Sequence, residues 1–335
     1  MKNLILAIES SCDDSSIAII NKDTFECVFH KKISQEEEHC KYGGVVPELA
    51  ARLHNAALPN ILEQCKNYFD KLCAIAVTNE PGLSVSLING ITMAKTLSLS
   101  LDLPLIAINH LKGHIYSLFL KQELLLDMGI LLVSGGHTMV IKLDKDKNLN
   151  IIARTCDDSF GESFDKVAKM MNLPYPGGVE IENLAKKAVC KNLSFSVPML
   201  HSKELNYSFS GLKNQARLEI LKYKNLDESI KAEIAYAFEN AACLHILDKL
   251  EKIFKKYSFK FFGIVGGASA NLNLRSRVES LCKKYNTKLY LAPLAYCSDN
   301  ALMIARAAID AYKNKDFVNI EQEILSPKSL NFSKI

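Results

Sequence analysis

NLILAIESSCDDSSIAII, residues 3–20, is two apolar runs joined by a turn of small and acidic residues. Residues 3–9 read as a buried strand and residues 15–20 as a second strand returning beside it. TFECVFHKK, residues 24–32, alternates and reads as a third. The chain therefore opens as antiparallel hairpins. The same grammar recurs from residue 129. GILLVS (129–134) is a strand, GGHT turns the chain, MVIKL (139–143) goes back, and NIIART (150–155) follows.

Each opening is followed by alternating helices and strands. In the first half, PELAARLHNAA predicts a helix from Pro47, which Pro59 should kink or end. Strand 73–78, helix 84–101 and strand 103–109 come next. In the second half, helices fall at 161–172, 178–190, 228–257 and 271–285, with strands at 259–265 and 287–292 and a last helix at 298–313. The fold class is α/β with two domains. The first is drawn as residues 1–108 plus 300–325, and the second as 109–299 with inserted helices. Two such halves facing each other would bring the turns 9–16 and 134–138 to one cleft, where ligands usually bind.

Composition narrows the class. The chain has 335 residues, 48% hydrophobic and 23% charged, as in an ordinary globular protein. A net charge of +4 permits nucleic-acid binding without arguing for it. The ten cysteines contain no C-x-x-C pair, which predicts reduced thiols. No apolar run approaches the ~18 residues a membrane span needs, and the N-terminus lacks the pattern of a signal peptide. A cytoplasmic protein without a membrane partner is the expectation.

Several stretches could carry chemistry. In NHLKGH, His110 and His114 are four apart at the end of a strand, so a helix there puts both imidazoles on one face. The competing reading is a pair that caps or packs the helix. A zinc-protease helix needs glutamate after the first histidine, and here that position is Leu111. Asp299 in YCSDN is by default an N-cap. As a ligand it would complete a His-His-Asp set with an open coordination position. VSGGHT offers Gly135 and Gly136 for close approach to an anionic group, or is a plain hairpin turn. Asp165 either accepts ligand hydroxyls or pairs with Lys169 one helical turn away. The glycines of YPGGVEIENLA would let a flat ligand lie on the backbone, while Glu180 and Glu182 suit a helix start. In VGGASANLNLR, Asn271 could hydrogen-bond a base or sugar.

These segments together resemble the tRNA N6-adenosine threonylcarbamoyltransferase family, long labelled O-sialoglycoprotein endopeptidase. The blocks IESSCDD, HCKYGGVVPELAARLH (39–54), PGLSVSLINGITMAK (81–95), NHLKGH, LLVSGGHT, GESFDKVAK, YPGG, YSFSGLK (207–213), GGASAN and CSDNALMIA occur in the family's order through nearly the whole chain. The resemblance implies the two-domain actin-like ATPase fold shared with sugar kinases and heat-shock ATPases. It implies metal ligands His110, His114 and Asp299, holding one divalent ion: Fe2+, with Zn2+ as the alternative. Substrate contacts carried over are Leu132, Val133, Ser134, Gly135, Gly136, Asp165, Gly178, Glu182 and Asn271. Lys112, Val85 and Val179 depart from the family's usual Glu, Gly and Pro, and none is a carried-over ligand.

The activity implied is transfer of a threonylcarbamoyl group from threonylcarbamoyl-AMP to the N6 amine of the tRNA adenosine 3′ to the anticodon, releasing AMP. The implied partners are tRNA, a separate enzyme that makes the adenylate, an inert paralogue forming a heterodimer, and a small ATPase. No general base is assigned; His137 could serve as one or be a turn residue. The rival activities are a metal-dependent glycoprotein endopeptidase and a small-molecule kinase of the same fold. A non-catalytic scaffold is the third rival.

Overall fold

The computed structural model describes residues 2–327. The chain divides into two units, Met1–Leu125 with Ser298–Ile335, and Leu126–Cys297. The sequence expectation drew the boundary at 108/109; residues 109–125 instead go with the first unit.

In the first unit, β1 (Leu4–Glu9), β2 (Asp14–Asn21) and β3 (Cys27–Ser34) form the expected antiparallel meander. β3 starts later than TFECVFHKK suggests. Asn21 to Glu26 close a turn in which Phe25 takes a positive φ of 59°. A short helix α1 (Glu36–Cys40) precedes α2 (Pro47–Glu63), then β4 (Leu72–Glu80), α3 (Ser84–Leu101), β5 (Leu105–Asn109) and α4 (His110–Tyr116). The sheet order is β3-β2-β1-β4-β5, with β4 parallel to β1 and β5 parallel to β4.

Pro59 does not end α2, which continues to Glu63. Proline removes one N–H bond. Here Leu58 and Ile61 on either side are locked in the core, while Pro59 faces solvent. Burial of that apolar face outweighs the missing bond.

The second unit repeats the plan with unrelated residues. Its strands are β6 (Met128–Val133), β7 (Thr138–Leu143), β8 (Leu149–Arg154), β9 (Phe261–Val265) and β10 (Lys288–Leu291). The order β10-β9-β6-β7-β8 is the first sheet's order written from the other edge. The same pairs are antiparallel and the same pairs parallel. Its helices are α5 (Phe160–Met170), α6 (Gly177–Lys187), α7 (Ser210–Ile220), α8 (Glu228–Lys256) and α9 (Leu272–Lys284). The sequence reading did not place α7: its start, FSGL, has no apolar periodicity. It is anchored instead by Asp157, which accepts from the Phe209 and Ser210 amides and from the Ser208 and Ser210 hydroxyls. The last helix, α10 (Ala301–Lys313), returns to the first unit. No helix of the described residues is long and apolar enough to cross a membrane.

The core of the second unit contains a pH-sensitive group. His245 on α8 is buried between the Tyr207 and Phe209 rings and accepts from the Ser208 N–H. Burial, aided by Lys249, pushes its pKa down from 6.5 to about 4. The unfolded chain therefore binds this proton more readily. The stability it supports is complete above pH 6.5 and drains away as pH falls toward 4. The expected loss is on the order of 2–3 kcal/mol. Urea unfolding at pH 7 and pH 4.5 checks it: His245→Gln, which keeps an acceptor for Ser208, should show a smaller difference than the wild type by that amount.

Candidate functional site

The sequence pair His110 and His114 sits where β5 hands over to α4. Asn109 caps that helix, its side chain accepting from the Leu111 and Lys112 amides at 2.9 and 3.3 Å. The cap makes His110 the first helical residue, and i, i+4 spacing turns both rings to one face. Their centroids are 4.6 Å apart. Beside them on the same helix is Gly113. A Cβ there would lie 2.6 Å from Ile304 Cδ1 and 3.2 Å from Met303 Cγ on α10. The glycine lets α4 lie directly against α10, and Asp299 stands just before that helix's N-cap.

Asp299 is not the N-cap of α10. Asn300 takes that role, accepting from the Met303 amide at 3.0 Å. Asp299 is thereby free to turn inward. Its Oδ1 lies 3.3 Å from His110 Nε2 and 3.2 Å from His114 Nε2. Ligand atoms of the three residues all fall within 4.8 Å of one another. His110 and His114 are buried, and Asp299 is partly open.

Two observations fit a cation here. First, His114 is fully buried and neither ring nitrogen makes a hydrogen bond of acceptable geometry among the described residues. Buried polar groups are normally paired, so Nε2, close to a carboxylate without a directed bond, is placed like a ligand. Second, the field favours positive charge. Burial opposes a charge on His110, yet Asp299 and Glu9 hold its pKa well above the ordinary value. Burial would raise the Asp299 carboxyl, but the two imidazoles hold it well below the usual carboxylate range. Burial, aided by the neighbouring His110, lowers His114 against the pull of Asp299 and Glu9.

The sequence reading missed the second carboxylate of this cluster. Glu9, at the end of β1, is fully buried and 3.1 Å from His110 Nδ1. A signal existed, because a lone carboxylate closing an otherwise apolar strand must find a partner. Nearby Asp14 is paired with Lys32, which also donates to Ser298 Oγ. Burial, only partly offset by Lys32, raises Asp14 to about 7.

The remaining candidates lie in the second unit, around the C-terminal ends of the parallel neighbours β6 and β9. Leu132 and Val133 are the last residues of β6 and are buried. The next four residues close the turn: Ser134 N–H donates to the His137 carbonyl, and Ser134 Oγ accepts from the His137 amide. Gly135 and Gly136 are exposed, and a Cβ on either would meet nothing within 4 Å. Behind the turn, Gly266 has φ +94°, and its Cβ would fall 2.2 Å from the Val133 carbonyl oxygen. Only glycine allows β9 to break so close to β6.

Asp165, half-buried on α5, accepts from the Gly177 amide at 2.8 Å and so ties α5 to the start of α6. Gly178, one residue on, has open space where a side chain would be. Glu182 accepts from the Leu272 amide and pairs with Lys186. Asn271 is buried and caps α9 through the Leu274 amide, while its Nδ2 donates to Glu239 at 2.6 Å. Its side chain thus orders a strand-to-helix turn, and its neighbour Glu239 was not read from the sequence.

With that geometry in hand, comparison with known proteins is specific. The family model for tRNA N6-adenosine threonylcarbamoyltransferase (TsaD) matches residues 26–306. The tRNA N6-adenosine threonylcarbamoyltransferase of Campylobacter jejuni subsp. jejuni serotype O:6 is 75% identical over 335 residues, covering 100% of both chains. That of Campylobacter concisus is 59% identical over 326 residues, covering 97% of this chain and 98% of the relative. Among solved structures, HypF from T. kodakarensis is similar with a TM-score of 0.62 at 12% identity, over 97% of this chain and 50% of that one. The activator of 2-hydroxyisocaproyl-CoA dehydratase from Clostridium difficile gives 0.52 at 16% identity, over 96% and 100%. These likenesses bear on the fold alone, which is the actin-like ATPase architecture.

Proposed function

The chain belongs to the tRNA N6-adenosine threonylcarbamoyltransferase family, and from that premise we propose how its residues divide the work. It is a transferase that modifies tRNA at adenosine N6. The donor in this reading is threonylcarbamoyl-AMP and the acceptor is the adenosine 3′ to the anticodon. The N6 lone pair forms the new bond to the carbamoyl carbon. The carbon–oxygen bond to phosphate breaks, AMP leaves with the electron pair, and the amine gives up one proton.

An aromatic amine is a poor nucleophile, so fixed geometry and charge stabilisation supply the rate. His110, His114 and Asp299 would hold one divalent ion, Fe2+ with Zn2+ as the alternative. When bound, it would supply Lewis-acid polarisation of the donor. The observation carrying this reading is the convergence of the three side chains, with neither buried His114 nitrogen in a directed hydrogen bond among the described residues. In the second unit, the residues from Leu132 through Ser134 to Gly136, with Asp165, Gly178, Glu182 and Asn271, would hold the adenylate. Open space at Gly135, Gly136 and Gly178 supports that role. The setting is the cytoplasm. The partners are tRNA, an inert paralogue and a small ATPase.

The test of the activity mixes the protein with those partners, the separate enzyme that makes the adenylate, threonine, bicarbonate, ATP and unmodified tRNA. Mass analysis of the nucleosides should show threonylcarbamoyladenosine; its absence with active partners would sink the reading. The adenylate site has its own test. Gly178→Val introduces a side chain into open space, so melting should be unchanged. The KM for the adenylate should rise roughly 10–100-fold, about 1.4–2.7 kcal/mol. An unchanged KM would remove Gly178 from the donor site.

A further inference from the structure

We propose that Glu9 is a positioning residue for the metal centre: its carboxylate fixes His110 in the tautomer that presents Nε2 to the ion. The inference rests on reading His110, His114 and Asp299 as the ligands.

Glu9 is held from two sides. Oε1 accepts from the Ser11 amide at 2.6 Å, and Oε2 accepts from the Thr78 hydroxyl at 2.5 Å. Glu9 and Thr78 are both fully buried at the ends of β1 and β4, which run parallel in register at Ile8 and Val77. The carboxylate is therefore part of the sheet's framework. Its Oε2 is 3.1 Å from His110 Nδ1, while the far nitrogen of the same ring, Nε2, is 3.3 Å from Asp299 Oδ1.

A neutral imidazole has one proton for two nitrogens, and the nitrogen that ligates must offer a lone pair. A carboxylate can only accept, so it draws the proton to Nδ1 and leaves Nε2 bare. Ser11 Oγ also stands 3.1 Å from Nδ1. A hydroxyl donates as readily as it accepts and so selects neither tautomer. His114 has no comparable partner among the described residues. The centre is thus asymmetric: a carboxylate at Nδ1 sets His110, while His114 Nδ1 has no hydrogen-bond partner among the described residues.

The experiment uses the full chain stripped of metal, with Glu9→Gln, Thr78→Val and Ser11→Ala beside the wild type. Zn2+ alone is titrated against a chromophoric chelator, and Co2+ alone is read by its d–d absorption bands. Circular dichroism and melting of the metal-free proteins check the fold. A glutamine at position 9 must set its NH2 either against the Ser11 N–H or toward Nδ1, where it favours the wrong tautomer. Glu9→Gln should weaken Zn2+ about 10–100-fold and shift the Co2+ bands. Thr78→Val should act in the same direction but less, and Ser11→Ala should lose far less than Glu9→Gln. If Glu9→Gln does not fold, Thr78→Val decides. A wild type that binds neither ion overturns the metal reading and this inference with it. A wild type that binds, with Glu9→Gln and Thr78→Val unaltered, overturns the Glu9 role alone. Ser11→Ala matching a large Glu9→Gln loss while Thr78→Val stays unaltered would transfer the role to Ser11.

Discussion

Asp299→Ala is expected to lose metal affinity by more than the 10–100-fold that an outer-shell partner costs, and transfer by on the order of 10³-fold. The reason is chemical. Asp299 is the one carboxylate of the proposed ligand set, and its Oδ1 is what both Nε2 atoms approach. Two imidazoles from one helix turn occupy adjacent positions and cannot enclose an ion. The fold should survive, because Asn300 rather than Asp299 caps α10. Metal-free melting should stay near wild type while metal content after dialysis falls to background. The measurements are bound metal per chain and threonylcarbamoyladenosine formed per minute at saturating donor. A variant that keeps wild-type metal and turnover would remove Asp299 from the centre. Asn300→Ala supplies the contrast: it loses a helix cap, about 1 kcal/mol of stability, and should keep most of its metal.

The sequence made some of this centre legible and hid the rest for physical reasons. His110 and His114 stand out because helical spacing is visible in a linear string. Asp299 does not: its inward turn depends on Asn300 taking the cap, and adjacent Asp and Asn are equally good caps. Residue chemistry offers it to the histidines only as an alternative to capping, and the family resemblance implies the ligand role. Glu9 reads only as the end of a buried strand entering a turn of small and acidic residues, since its partner His110 is joined to it by a sheet crossing no local pattern encodes. The doubled sheet order was legible as hairpins around small-residue turns, because alternation and Gly or Ser turns are local signals. The helix Ser210–Ile220 was not, because Asp157 and not its own periodicity starts it. Pro59 misled in the opposite sense, where buried Leu58 and Ile61 overrode a local rule.

Arg306→Met is the substitution expected to cost most in stability, about 3–5 kcal/mol. The Arg306 side chain lies on α10 with no solvent exposure. Its Nε donates to the Phe119 carbonyl at 2.9 Å and its Nη2 to the Gln122 carbonyl at 3.0 Å. Asp310 Oδ1 is 3.5 Å from Nη1, and the guanidinium lies 4.4 Å from the Phe25 ring centroid and 5.2 Å from that of Tyr116. Methionine fills similar volume but leaves the buried Phe119 carbonyl, the Gln122 carbonyl and the Asp310 carboxylate without their cation. Those partners belong to the segment that continues α4, so the damage reaches the helix carrying both histidines. The urea midpoint should drop, Zn2+ should bind more weakly, and added Zn2+ should recover part of the loss by mass action. Arg306→Lys should fall between, because an ammonium cannot serve two carbonyls and two rings as a planar fork does. Pairing Arg306→Met with Asp310→Asn should cost less than the sum of the two, since the second change removes a charge the first has stranded. Unchanged unfolding in Arg306→Met would mean that this buried cation contributes no net stability and that α4 and α10 are held together by apolar packing at Gly113, Met303 and Ile304 and by the hydrogen bond from the Tyr116 hydroxyl to Asp310.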